Sequence, residues 1–288
     1  MPNQLHKETL NTQNHDRDAV GMTYVYPVIS RRANGVSIGI NLNPNNACNW
    51  HCVYCQVPDL VRGSAPAIDL KQLKDELTAM LEDLKQGSFM QERVPEGCRQ
   101  LCDVAISGNG EPTSCQNFDE IVRLIIEVMR TFKLDNDVKL RLITNGSYLH
   151  KPNVQAGLKL MSEANGEVWV KVDSVTADGI ERINGVTASL ELMFKQVEAA
   201  ANLCPTWIQT CMFSWDGIEP SEDEVNAYLA FIQQLKAGTV PVKGVLLYGI
   251  ARPSLQPEAE HLSVLTSEWM QSMAGKIEAM GFSVKLAF

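Results

Sequence analysis

Cys48, Cys52 and Cys55 lie at spacings of four and three in the stretch NACNWHCVYCQ, residues 46–56, with no fourth cysteine close by. Thiolates are soft ligands, so the cluster points to a metal. A structural zinc site usually shows two CxxC pairs, or one pair followed by two histidines, and nothing completes such a set here. His51 sits beside Cys52 and would point away from a metal held by the flanking thiols. An iron–sulfur cube can take three thiolates from the chain and leave one iron open to another ligand. The other five cysteines, Cys98, Cys102, Cys115, Cys204 and Cys211, are scattered and read as small buried apolar residues.

The elements that must position these thiols follow from hydrophobic periodicity. Short apolar runs at 36–41, 103–108, 139–144, 167–173, 207–213 and 243–249, with SVKLAF ending the chain, read as strands bounded by Gly, Pro, Asn or Asp. Between them lie amphipathic stretches. DLKQLKDELTAMLEDLKQG has Asp69 as its expected N-cap, and SEDEVNAYLAFIQQL opens with Ser221 and Glu224 at capping-box spacing. Strand–helix–strand units with connections too long for hairpins predict parallel strands joined by right-handed crossovers, as an open sheet or a whole or partial barrel. In either case the loops after the C-terminal strand ends carry the chemistry. The cysteine loop follows the first of these strands.

Polar residues gather at the later strand ends. SGNGEPT follows the second strand, where Gly108 and Gly110 permit close backbone approach, Asn109 lies between them, and Glu111 either meets a ligand or braces the loop. ITNGS brings Thr144, Asn145 and Ser147 to the third. On the fourth, WVKVDS puts Lys171 and Asp173 on one face, either to pair with each other or to meet a charged ligand. Tyr248 and Arg252 close the sixth; Arg252 would clamp a carboxylate or phosphate, or pin its own loop.

CxxxCxxC with an aromatic residue, Tyr54, before the third cysteine resembles the signature of the radical S-adenosylmethionine (SAM) superfamily. The resemblance implies a partial (βα)6 TIM-like barrel of parallel strands with outer helices, and two cofactors, a [4Fe-4S] cluster and S-adenosyl-L-methionine. Cys48, Cys52 and Cys55 would hold the cluster, and SAM would chelate its open iron. Tyr54 would lie by the adenine, and Gly108–Glu111 would match the glycine-rich element that meets the amino group, with Asn109 in place of its middle glycine. Thr144 and Asn145 would face the ribose or substrate, Lys171 the cofactor carboxylate, and Asp173 a hydroxyl or the sulfonium. Reductive cleavage would release a 5′-deoxyadenosyl radical that abstracts hydrogen from substrate, with reduced flavodoxin or ferredoxin as electron donor. Tyr248, Arg252 and Cys115, the thiol nearest the expected pocket in sequence, are the candidates for catalytic contact with substrate. The blocks SRRANGVSIGINLNPNNACNWHCVYCQ, KVDSVTADGIERING and YGIARPS are similar to those of wyosine-base-formation type enzymes and their bacterial relatives of unassigned substrate. Where those proteins often read Ile-Asn-Arg-Pro, this chain has Ile183-Asn184-Gly185-Val186.

Composition sets the outer bounds. With 288 residues and 45% apolar content the chain can bury a large core, and residues 21–288 read as one domain behind a loosely ordered lead-in, 1–20. No apolar run reaches the ~20 residues of a membrane helix, and the N-terminus lacks a signal-peptide core, so a cytoplasmic location is expected. A net charge of −9 has the wrong sign for holding nucleic acid through phosphates and favours a small-molecule or nucleoside substrate. A tRNA-base modifier would have to rely on a local patch such as Lys7, Arg17, Arg31 and Arg32. An activating enzyme for a glycyl-radical partner would need a further cluster domain. A non-catalytic iron–sulfur or zinc protein would leave the strand-end polar groups without a purpose.

Overall fold

The computed structural model describes residues 9–11, 20–30, 35–134 and 136–287. Eight strands form one curled sheet: β1 (Val25–Ser30), β2 (Gly35–Ile40), β3 (Leu101–Ile106), β4 (Lys139–Thr144), β5 (Gly166–Lys171), β6 (Thr206–Met212), β7 (Val242–Gly249) and β8 (Ser283–Ala287), in that spatial order. β2 to β8 run parallel and β1 pairs antiparallel with β2. The long helices cross between strands: α1 (Leu70–Gln86), α2 (Phe118–Thr131), α3 (Pro152–Glu163), α4 (Ala177–Asn184), α5 (Leu190–Ala201), α6 (Glu222–Ala237) and α7 (Ser267–Ala279). The result is the expected partial (βα)6 barrel, with β1 and β8 added at its edges. β1 is the strand that periodicity alone does not announce.

Period two divides each strand between two environments. The outward face carries Val36, Ile38, Ile40, Val104, Ile106, Leu140, Leu142, Val168, Val170, Ile208, Val245 and Leu247, all buried against the helices. At roughly 1.5–3 kcal/mol for each large aliphatic side chain, this face supplies most of the drive for helix docking. Local signals agree with it. Asp69 Oδ1 accepts the Gln72 amide at the start of α1, 3.0 Å away, and Ser221 and Glu224 form the reciprocal capping box of α6. Leu10, within the expected lead-in, is buried and donates its amide to the Arg93 carbonyl at 2.8 Å; residues 1–8 and 12–19 lie outside the described residues.

The inward face is polar. Ser37 and Arg141 both donate to the Asp103 carboxylate. Arg141 Nε also reaches Glu167 Oε1 at 2.7 Å, and that oxygen takes the Trp169 indole N–H at 3.0 Å. Ser37, Asp103, Arg141 and Trp169 line the lumen. Burial pushes the Asp103 carboxyl up, and the Arg141 guanidinium opposes this. Arg141→Met would leave two carboxylates without their cation and should cost about 3–5 kcal/mol in a urea titration. Lys71→Met, which removes an exposed pair with Asp75, should leave the midpoint unchanged.

Candidate functional site

The cysteine loop leaves β2 and is closed on itself by a short bridge, Ala47–Cys48 beside Val61–Arg62. Three neighbours hold it. The C-terminus of α4 supplies the first: the His51 and Val53 amides donate to the Asn184 and Ile183 carbonyls, both at 2.9 Å. Arg62 ties the Asn49 carbonyl to that of Gly185, the helix C-cap with φ +62°, a left-handed conformation that glycine adopts without strain. The segment after β7 supplies the second. Ser254 Oγ donates to the Val53 carbonyl at 2.6 Å, the Leu255 amide to Cys55 O at 2.9 Å, and Gln256 Nε2 to Val57 O at 2.9 Å. The third is the end of β4, where Ser147 Oγ takes the Trp50 indole N–H at 3.1 Å and Asn145 Nδ2 donates to Asn49 Oδ1 at 2.9 Å. His51 turns to Glu258, 3.2 Å away, as its place beside Cys52 predicts.

This bracing presents Cys48, Cys52 and Cys55 at the rim of a lumen cavity of about 340 Å³. That volume lies at the small end of the roughly 300–1,000 Å³ typical of small-molecule sites. Burial pushes the Cys48 thiol up to about 11 and the Cys52 thiol up to about 12, with Lys171 opposing the rise at Cys52. Both are therefore neutral without a metal. Among the described residues no three His, Cys, Asp or Glu side chains converge on one ion position. The three thiols instead share one loop and one cavity, a donor set suited to separate corners of a cube.

Across the cavity stands the Gly108–Glu111 loop. The glycines serve the packing of this loop on the cysteine loop: a Cβ at Gly110 would overlap the Ala47 carbonyl oxygen, and one at Gly108 would overlap Asn41. Glu111, buried, accepts from the Asn145 amide at 2.7 Å, from Thr144 Oγ1 and from Thr113, so it braces the ends of β3 and β4 against each other. Thr144 is used in the same contact and does not line the cavity. Asn109 donates through Nδ2 to Asn46, while its Oδ1 is a buried acceptor without a donor at the cavity wall. An ammonium group would satisfy it. That orphaned oxygen and the thiol set are the two features that fit the expected cofactors.

Lys171 enters the cavity from β5, donating to Tyr248 OH at 3.1 Å, with its ammonium 4.8 Å from the Tyr54 ring centroid. Burial alone would pull the Lys171 ammonium down; Tyr248, Asp173 and the nearby thiols outweigh it and hold it up. Asp173 is oriented differently from the reading that sends it to the cofactor. It is buried beside the cavity, with Oδ2 accepting Tyr54 OH and Asn184 Nδ2 (2.9 Å) and Oδ1 accepting the Cys211 amide (3.0 Å). Asn184 Nδ2 also lies 3.4 Å from Cys52 Sγ. Arg252 lines the cavity and pins its loop through Gln56 Oε1 at 3.0 Å. Cys115 lies in the core beneath the loop, apart from the cavity; of the five cysteines outside the cluster motif, the one that lines the cavity is Cys211. Asn184, Ser254, Gln256 and Cys211 are the site residues that sequence reasoning missed. Lys7, Arg17, Arg31 and Arg32 lie outside the described residues.

The profile described as the radical SAM superfamily matches residues 42–232, well over half of the chain. A UPF0026 protein of Helicobacter pylori strain 26695 is 22% identical over 76% of this chain and 65% of its own length. A second, from Synechocystis sp. PCC 6803, is 27% identical over 58% and 55%. The alignments thus span less than two thirds of these relatives. Among solved structures, TYW1 with a lysine–pyruvate adduct bound is similar at a TM-score of 0.56 and 16% identity, covering 95% of this chain and 80% of that one. A radical SAM methyltransferase from Sphaerobacter thermophilus gives a TM-score of 0.58 at 10% identity, covering 91% and 68%. At such identities the likeness is one of fold. No helix among the described residues is long and apolar enough to cross a membrane.

Proposed function

The chain belongs to the radical SAM superfamily, whose proteins bind a [4Fe-4S] cluster and SAM, and from that premise we propose that it cleaves SAM reductively to act on a small polar or nucleoside substrate held in the half-barrel. When bound, the cluster and SAM supply the one-electron chemistry that removes hydrogen from an unactivated C–H bond. Cys48, Cys52 and Cys55 ligate the cluster. Asn109 Oδ1 accepts from the SAM amino group, Lys171 faces its carboxylate, and Tyr54, held by Asp173, flanks the adenine. Asn184 donates to the Cys52 sulfur and fixes its direction. Arg252, Ser254 and Gln256 hold the cysteine loop down over the lumen and limit the access of water. A reduced flavodoxin or ferredoxin delivers the electron.

The observation that carries this reading is the meeting of three thiols, one orphaned acceptor and one lysine around a single cavity. Anaerobic reconstitution should give a brown protein with about four iron and four sulfide per chain. Dithionite and SAM should then yield 5′-deoxyadenosine. Stoichiometric zinc in place of iron, or no cleavage from a fully loaded protein, sinks the proposal. A tRNA substrate would show as RNA binding that weakens steeply with salt; its absence at low salt removes that alternative.

A further inference from the structure

We propose that Cys52 and Cys55 are a site of reversible oxidation in the metal-free chain: they close on each other as a disulfide, Cys48 keeps its thiol, and iron enters only after the pair reopens. Both side chains line the lumen cavity. The backbone between them sets the pairing. The Cys55 amide donates to the Cys52 carbonyl at 2.9 Å, so residues 52–55 form one tight turn. Such a turn holds its end Cα atoms within about 7 Å, and a disulfide spans roughly 4.4–6.8 Å between Cα atoms. The pair is thus preset for bridging.

Cys48 is engaged elsewhere. It lies in the short bridge beside Arg62, its carbonyl takes the Gly63 amide at 3.1 Å, and its sulfur accepts the Trp50 amide at 3.4 Å. A bridge from Cys48 to Cys55 would also have to close over residues 49–54, which are already fixed. The His51 and Val53 amides are bound to the end of α4 and the Trp50 indole to Ser147. Away from the motif, Cys115, Cys204 and Cys211 are buried, and Cys98 and Cys102, four apart and half-buried, are the rival pair.

The step is thiol–disulfide exchange, with a small disulfide such as oxidised glutathione as the oxidant. One cysteine thiolate attacks it and expels a glutathione thiolate; the other displaces the second glutathione from the mixed disulfide. The two cysteines lose two electrons and two protons, and both appear in two molecules of reduced glutathione. A disulfide sulfur is not a thiolate ligand, so the closed form leaves the cube one donor, Cys48. The oxidation belongs to the metal-free chain; its meaning for iron rests on the cluster reading above.

The test equilibrates metal-free, full-length protein anaerobically with oxidised glutathione, then counts thiols after unfolding and maps unreduced peptides by mass spectrometry. The count should fall by two from the eight of the sequence, with the bond between residues 52 and 55. Cys48→Ala should form the same bond, and Cys52→Ala and Cys55→Ala should form no internal disulfide. On adding ferrous iron and sulfide, the oxidised protein should load about tenfold more slowly at first than protein reduced with dithiothreitol. The proposal is overturned if wild type keeps all its thiols, if the bond maps to Cys48 or to Cys98 and Cys102, or if oxidised and reduced protein load at one rate. A 52–55 disulfide in a chain that takes no iron even when reduced would leave the oxidation standing and sink the cluster reading instead.

Discussion

Cys52→Ala should reduce reconstituted iron from about four atoms per chain to near zero and bring 5′-deoxyadenosine release below detection, with the fold intact. Cys52 is half-buried, and its buried sulfur is a neutral thiol in the metal-free chain because burial raises its pKa to about 12. Removing that sulfur therefore breaks no ion pair. The cost to the apo fold is the Asn184 contact at 3.4 Å and a little packing, on the order of 1 kcal/mol. Losing one of three ligands from a cage that already lacks a fourth protein donor is far more severe, since two corners would then be without a thiolate. Cys98→Ala is the matched control, a half-buried thiol outside the cavity lining. It should keep iron, colour and cleavage. The assignment is wrong if Cys52→Ala retains a cluster, or if Cys98→Ala loses one.

The contrast between Cys115 and Cys211 shows which part of the site the sequence makes legible. Contiguous features are readable: the cysteine spacing, the glycine-rich loop and the polar strand ends all sit where periodicity puts them, because β2, β3, β4, β5 and β7 bury apolar residues on their outer face. Proximity along the chain is a weaker guide. Cys115 follows the GNGEP loop closely, yet the turn at Pro112–Ser114 carries it into the core. Cys211 was findable, since period two from Gln209 places it on the lumen face at a strand end. β1 was hidden by Pro27, which lowers a strand reading and is tolerated here because β1 is an edge strand. The braces were hidden for a different reason. Asn184, Ser254 and Gln256 hold a loop more than a hundred residues away in sequence, and periodicity says nothing about which distant carbonyl a side chain will meet. Asn184 and Ser254 left a trace only as members of the blocks KVDSVTADGIERING and YGIARPS, and Gln256 left none.

Asp173→Leu should be the most damaging change outside the cysteines, and it should act on both the fold and the metal. The carboxylate accepts Tyr54 OH, Asn184 Nδ2 and the Cys211 amide, and it is among the acidic neighbours that hold Lys171 protonated. Leucine leaves three buried donors without an acceptor. At roughly 1–3 kcal/mol each, with some relief from relaxation, the loss is about 3 kcal/mol or more, a large part of the 5–15 kcal/mol that stabilises a typical domain. Tyr54 is then free to leave the cavity wall, and Asn184 no longer has the anchor that aims its amide at Cys52. Asp173→Asn separates charge from shape. Its amide can still accept one donor, and the Tyr54 hydroxyl can turn to accept from it, but Asn184 now faces a competing donor, so about one bond is lost. Urea midpoints should therefore rank wild type above Asp173→Asn above Asp173→Leu, and iron retained after gel filtration should follow the same order. An Asp173→Leu protein with wild-type stability would show the carboxylate to be incidental. One that is unstable yet keeps its iron would sever the Asp173–Asn184–Cys52 chain, because a brace that fails without releasing the cysteine was not holding it.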